Sequence, residues 1–328
     1  MRQVAGSALA AGARNLLDEC AGVRPGLRVV VLQEDPELGW YDREAPAAVA
    51  RMARELGAEV EVLDVGDPGT SLPDDLAGAL QRSDIEIWFA RIGDQDRFQT
   101  RASKRVKVVS YARTAAALAS GFGTRAHSDM VALKDQVDAK LAAAKTIHIT
   151  CPLGTDLTGT DAPENAEDVT VRRFPMCVPR PVSARNFSGH VALSGHLTPT
   201  GSRSYEPANL PLPDIVLAEV EKGRIVGFQG APQTIEDIRA HYARVARLFG
   251  IEWDVVHSWH AGIHSGCFHE EPVHENPDLW SNTIFGSPQW LHFHTCGDYA
   301  PGEICWMVQN PTILADDHAL WSEGVLRP

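Results

Sequence analysis

The sequence has no Cys-x-x-Cys pair, and its six cysteines (Cys20, Cys151, Cys177, Cys267, Cys296 and Cys305) are scattered along 328 residues. That spacing argues against a disulfide framework of the kind that staples small secreted domains, and against a structural zinc site built on paired thiolates. Long apolar runs are missing too, since no stretch approaches the ~20 apolar residues that a membrane-spanning helix needs. Met1-Arg2-Gln3-Val4-Ala5-Gly6-Ser7 leads into an Ala-rich helical pattern without the apolar core of a secretory signal. A cytoplasmic protein with no membrane partner is expected. Basic residues are outnumbered, 30 Lys and Arg against 43 Asp and Glu, for a formal net charge of −13. Nucleic acid is therefore not expected as a partner, because neutralising phosphates takes a basic face. No Gly-x-Gly-x-x-Gly follows the first apolar strand, so a nicotinamide cofactor has no support.

What is present begins with a regular alternation of elements. A chain of this length exceeds one ordinary core and suggests two domains, residues 1–150 and 151–328. Residues 5–20 read as a helix, 28–32 as a strand buried on both faces, 46–56 as a helix, 59–63 as a strand, 74–81 as a helix, and 85–89 and 106–109 as strands. That order predicts an α/β class with a doubly wound N-terminal domain, Rossmann-like but without the dinucleotide motif. Residues 128–144 continue as a helix into a strand at 146–150. The second half predicts a strand-rich α+β domain, with strands at 169–174, 190–193, 215–221, 224–229, 312–314 and 320–321. A hairpin turn is expected at 221–224. A helix at 234–249 is expected to start with a capping box at Thr234 and to bury Ile238, Tyr242, Val245 and Leu248 or Phe249.

The chemistry concentrates between His257 and Cys305. Seven of the 13 histidines lie there: His257, His260, His264, His269, His274, His292 and His294. Leu291-His292-Phe293-His294 alternates as a strand does, and residues two apart on a strand share a face, so His292 and His294 can address one point. A metal ion is the simplest occupant of that point, with His260 and the carboxylate of Glu303 as further ligands. Imidazole suits iron, zinc, copper and nickel, and two histidines with one carboxylate is the arrangement of non-haem iron oxygenases. His264 is expected in proton transfer rather than as a ligand. His257, His269 and His274 are assigned to local hydrogen bonding, and Asp156 to a turn or to the site. Gly286 and His292-x-His294 match the first half of a cupin motif, but the spacing to Glu303 is too long for the rest. The late tryptophans Trp253, Trp259, Trp280, Trp290, Trp306 and Trp321 could wall a site or fill a core.

Three segments resemble a known family. Leu153-Gly154-Thr155-Asp156-Leu157-Thr158 resembles the Gly-Thr-Asp-Leu signature of the aminopeptidase T metallopeptidases, and Glu221-Lys222-Gly223-Arg224-Ile225-Val226 is similar to their strand-turn-strand before the metal-binding part. Trp259-His260-Ala261-Gly262-Ile263-His264 is similar to the segment where those peptidases carry a metal-binding Glu before a Gly-Ile-Gly run; here that position is His260. The same exchange marks the 2,5-dihydroxypyridine 5,6-dioxygenases, mononuclear iron ring-cleaving enzymes with the peptidase fold, and that branch is the closer resemblance. Both groups end with a His-x-Asp ligand pair, whereas His292-x-His294 has His in place of Asp. The carboxylate is then missing or comes from Glu303. The resemblance also implies a homo-oligomer.

Two functions follow as expectations. The first is a mononuclear non-haem Fe(II)-dependent dioxygenase that takes O₂ and a small chelating substrate, aromatic or heteroaromatic. The second is a zinc- or cobalt-dependent metallohydrolase of the aminopeptidase kind, in which the ion activates water.

Overall fold

The protein is represented by a computed structural model that describes residues 2–69, 74–95, 97, 105–162, 169–199, 205–267, 269, 275–297 and 302–328. Its strands in chain order are β1 (Arg28–Glu34), β2 (Glu59–Val65), β3 (Ile85–Phe89), β4 (Val106–Ser110), β5 (Ile147–Thr150), β6 (Asp156–Gly159), β7 (Arg172–Phe174), β8 (Val182–Ser183) and β9 (Ser188–Leu197). There follow β10 (Leu210–Glu221), β11 (Arg224–Gln229), β12 (Val256–Ala261), β13 (Trp290–Cys296), β14 (Glu303–Gln309), β15 (Thr312–Ala315), β16 (His318–Ser322) and β17 (Val325–Leu326). The class is the expected mixture of a parallel α/β sheet and antiparallel sheets. No helix among the described residues is long and apolar enough to cross a membrane.

The chain divides into two compact units, one made of Met1–Ala132, Val169–Cys177 and His264–His269, the other of Leu133–Asp168, Val178–Ile263 and Glu270–Pro328. The expected domains 1–150 and 151–328 are consecutive, whereas these units interleave. Strand pairing is the reason. Residues 169–174, assigned from sequence to the strand-rich half, supply β7, which pairs in parallel with β4 through Val108↔Arg172 and Ser110↔Phe174. Residues 146–150, assigned to the first domain, supply β5, antiparallel to β6 and β15.

In the first unit the sheet order is β2-β1-β3-β4-β7 and every neighbouring pair is parallel. Val29, Val30, Val31 and Leu32 on β1 and all five residues of β3 are buried, as a parallel sheet covered on both faces requires. The helices Glu44–Glu55 and Asp74–Arg82 make the crossovers from β1 to β2 and from β2 to β3. Beyond the strand ends, buried Arg91 grips Glu34. Its Nε and its backbone N–H donate at 2.8 and 2.9 Å, and its guanidinium lies 4.4 Å from the ring centre of Trp40. This desolvated pair, whose several hydrogen bonds offset the cost of burying its charges, ties the end of β1 to the segment after β3.

The second unit has an eight-stranded sheet, order β11-β10-β9-β6-β5-β15-β16-β17, and a four-stranded sheet, order β14-β13-β12-β8. Their described pairings are antiparallel, and a bridge between Thr198 and Cys305 joins the end of β9 to β14. The expected hairpin joins β10 to β11, with Lys222 and Gly223 both in the left-handed region (φ 48° and 71°), the pairing that matches the twist of two-residue hairpins. The helix Pro232–Phe249 starts at Ala231 without a side-chain cap, so the capping box is not formed; Thr234 instead donates its hydroxyl to Asp214 Oδ2 at 3.2 Å. Ile238, Tyr242 and Val245 are buried as expected, but Leu248 is exposed. Gly250 (φ 66°) ends the helix.

One relay locks this helix to the four-stranded sheet. Trp306 Nε1 donates to Tyr242 Oη at 2.6 Å, the Tyr242 and Thr295 hydroxyls lie 2.5 Å apart, and Thr295 donates to the Ile304 carbonyl at 2.8 Å. Burial pushes the Tyr242 hydroxyl far above its ordinary pKa, so it stays protonated. Tyr242→Phe deprives the buried Trp306 N–H of its acceptor. It should lower stability by about 1–3 kcal/mol, read as a shift in the urea midpoint; an unchanged midpoint would show that the relay contributes nothing.

Candidate metal centre

The alternation Trp290-Leu291-His292-Phe293-His294-Thr295-Cys296 decides what β13 presents to each side. On one face Leu291, Phe293 and Thr295 join Trp259 of β12 and Trp306 of β14, all with 0% exposure. Phe293 and Trp306 have ring centres 5.6 Å apart, and Trp259 meets Phe187 edge-on at 5.8 Å. On the other face the polar alternates line up. His260 stands directly opposite His292, Ser258 opposite His294, and Cys305 of β14 opposite His294. Slipping the register by one residue would drive the histidines into the aromatic core, so burial of one face fixes the other.

The exit from β12 depends on Gly262. A Cβ at this position would collide with the Ser287 carbonyl, so glycine lets the chain pass against the segment that leads into β13. Its N–H donates to the Trp290 carbonyl at 3.0 Å and its carbonyl accepts from Trp321 Nε1 at 3.0 Å. Both bonds hold the end of β12 in place beside the start of β13.

His260, His292 and His294 thus converge. Their ring centres are 3.8 Å (His260–His292), 4.8 Å (His292–His294) and 5.1 Å (His260–His294) apart. One ligand atom from each lies within 4.8 Å of the others, and all three residues are buried. The Nε2 atoms of His260 and His294 are 3.1 Å apart. Two nitrogens each ~2.1 Å from a common ion and in adjacent positions would be about that far apart, so the donors fit a metal held by imidazole. A second group of donors, His294, Glu303 and Cys305, shares His294 with the first. Glu303, 1% exposed, is hydrogen-bonded through Oε1 to His294 Nδ1. Cys305 is not among the ligands expected from the sequence. Its signal was its place two residues beyond Glu303, on the same face of one strand.

The other candidates separate from this group. His264 belongs to the first unit. Its ring is buried edge-on against Phe122, with ring centres 4.9 Å apart, and its Nδ1 accepts from the Gly266 N–H at 3.1 Å. Burial, with a smaller contribution from Arg125, pulls its pKa down to about 4. With Nδ1 an acceptor, the neutral ring carries its proton on Nε2. His264 is thus a neutral N–H donor near pH 7 rather than a titrating group. Asp156 lies exposed on β6, where it meets His148 Nε2 at 2.8 Å, so it neither caps a turn nor joins the cluster. His257 Nε2 bonds the Cys296 carbonyl at 2.8 Å, His269 is exposed, and His274 falls outside the described residues. Of the tryptophans, Trp259, Trp306 and Trp321 are core, Trp280 and Trp290 meet edge-on, and Trp253 is partly exposed.

No protein-family model matches the sequence, and no curated protein matches it. Solved structures do. That of 2,5-dihydroxypyridine dioxygenase from Pseudomonas putida superposes with a TM-score of 0.63 over 97% of this chain and 96% of its own, at 13% identity. Wild-type AmpT from Thermus thermophilus superposes with a TM-score of 0.51 over 98% of this chain and 99% of its own, also at 13% identity. The chain therefore has the fold of the aminopeptidase T and dihydroxypyridine dioxygenase structures, as its motifs suggested.

The depressed pKa of His264 predicts a pH dependence. Unfolded, the imidazole protonates near its ordinary 6.5; folded, it resists until about 4. The unfolded chain therefore binds the extra proton first, and stability is lost as pH falls from 6.5 towards 4. His241, held to about 4 by burial and Arg244, acts in the same direction. Between pH 7 and pH 5 the wild type should lose more stability in urea than His264→Asn, which retains His241. Equal losses would mean that His264 titrates normally.

Proposed function

From a fold shared with a dioxygenase and an aminopeptidase, and from three buried imidazoles meeting at one point, we propose that the chain is a mononuclear non-haem Fe(II)-dependent oxygenase. Its substrates would be O₂ and a small chelating aromatic or heteroaromatic compound. The observation that carries this is the His260–His292–His294 cluster. A two-metal hydrolase needs two donor sets, and among the described residues the second set shares His294 with the first. An imidazole that bridges two ions must give up both ring protons, which favours one ion.

In this proposal His260, His292 and His294 hold the ion. An iron(II) ion held there would supply the redox chemistry by which O₂ reacts with a chelating substrate. Phe285 is half-buried, with its ring centre 5.5 Å from that of His292 and 6.5 Å from that of His260. It screens the imidazoles from water and offers an apolar ring to a flat substrate. The aromatic layer of Trp259, Phe293 and Trp306 closes the other side of the sheet, so the ligands cannot turn away. A homo-oligomer is carried over from the family resemblance.

Anaerobic reconstitution with Fe(II) should yield one metal per chain by elemental analysis, and His260→Ala, His292→Ala and His294→Ala should each lower occupancy. A stoichiometry near two per chain would favour the peptidase reading. With a catechol-like or hydroxypyridine compound, product should form only when O₂ is admitted, with O₂ consumed in proportion. His260→Ala should abolish turnover. Full activity without O₂, or with zinc in place of iron, would make the reaction hydrolytic.

A further inference from the structure

We infer that Glu303 is a positioning residue for His294 rather than a metal ligand, an inference that rests on the metal reading above. The argument begins with the backbone. Glu303 opens β14 opposite Cys296, whose φ of 64° marks the end of β13. The Gly297 N–H donates to the Gly302 carbonyl at 3.0 Å, and the Glu303 carbonyl accepts from the buried Tyr205 hydroxyl at 2.7 Å. The strand start is therefore held from two sides.

Two residues back from Cys296 on the same face is His294, the diagonal neighbour of Glu303. That gap suits the reach of a glutamate side chain across an antiparallel pair. The contact made is from Oε1 to Nδ1 of His294, while Nε2 of the same ring faces His260. A carboxylate on one ring nitrogen keeps a proton there and frees the other nitrogen to donate its lone pair to a metal. This relay fixes both the tautomer and the ring plane and raises the basicity of the ligand. The three ligands on the ion would then all be neutral imidazoles, with the negative charge one bond further out. The sequence places Glu303 among the metal ligands; its contact with His294 Nδ1 is the observation that favours the positioning role instead.

The test uses Co(II) as the probe, in the full-length protein made metal-free with a chelator. Co(II) affinity is measured by competition with a chromophoric chelator, the coordination sphere by the visible d–d spectrum, and folding by circular dichroism. If Glu303 positions His294, Glu303→Gln should retain the wild-type spectrum, because no ligand is lost, and should bind Co(II) about 10–100-fold more weakly. Glu303→Ala should be weaker still, since Gln can accept from Nδ1–H and Ala cannot. His292→Ala, which removes a ligand, should change the spectrum itself. A Glu303→Gln spectrum altered in the manner of His292→Ala would make Glu303 a ligand and overturn the inference while leaving the metal site standing. Wild-type affinity in folded Glu303→Ala would also overturn it, as no positioning is needed. Wild-type protein that binds no Co(II) would instead defeat the metal reading itself, and this inference with it.

Discussion

The structure around the candidate site depends on one constraint: the sheet β14-β13-β12-β8 is buried on both faces. An ordinary half-buried strand alternates apolar residues towards the core with polar residues towards water. Here the polar alternates are also withdrawn from water, and His260, His292, His294 and Glu303 are each less than a tenth exposed. Buried imidazoles and carboxylates are costly unless each finds a partner. The arrangement answers this by bringing them to each other, as the His294–Glu303 and His260–His294 contacts show. A metal ion would complete the same solution.

The aromatic face makes that convergence rigid. Trp259 adjoins His260, Phe293 lies between His292 and His294, and Trp306 adjoins Cys305, so neither a register slip nor a rotation of a strand is available without exposing a large ring. The helix Pro232–Phe249 adds a second lock through Tyr242, which links Trp306 of β14 to Thr295 of β13. Gly262 and the bonds around it hold the end of β12 in the same frame. The site is therefore built on strands rather than on loops, which favours fixed donor geometry over adaptability.

Much of this was legible in the residues. Period-two alternation placed His292 and His294 on one face, and the match of Trp259–His264 to a family segment singled out His260. Apolar runs bounded by turns located β1 to β4, and Lys222-Gly223 located a hairpin. Other features were not legible. Thr234 looked like half of a capping box, yet its hydroxyl found Asp214, a residue of β10, since a tertiary partner can outcompete a local one. Of the two residues that could close the apolar face of this helix, Leu248 stays exposed and the half-buried Phe249 packs on Tyr205, with ring centres 5.9 Å apart.

What the sequence determined by itself was local: which segments form strands or helices, which side chains share a face, and which residue types could bind a metal. These follow from backbone periodicity and side-chain chemistry, which act over a few residues. The tertiary structure alone decided the pairings. It sent β7 to the parallel sheet and β5 to the antiparallel one, set His260 opposite His292, and turned Glu303 towards His294 Nδ1. Register between strands far apart in the chain is set by the joint burial of both faces, and no single segment carries that information.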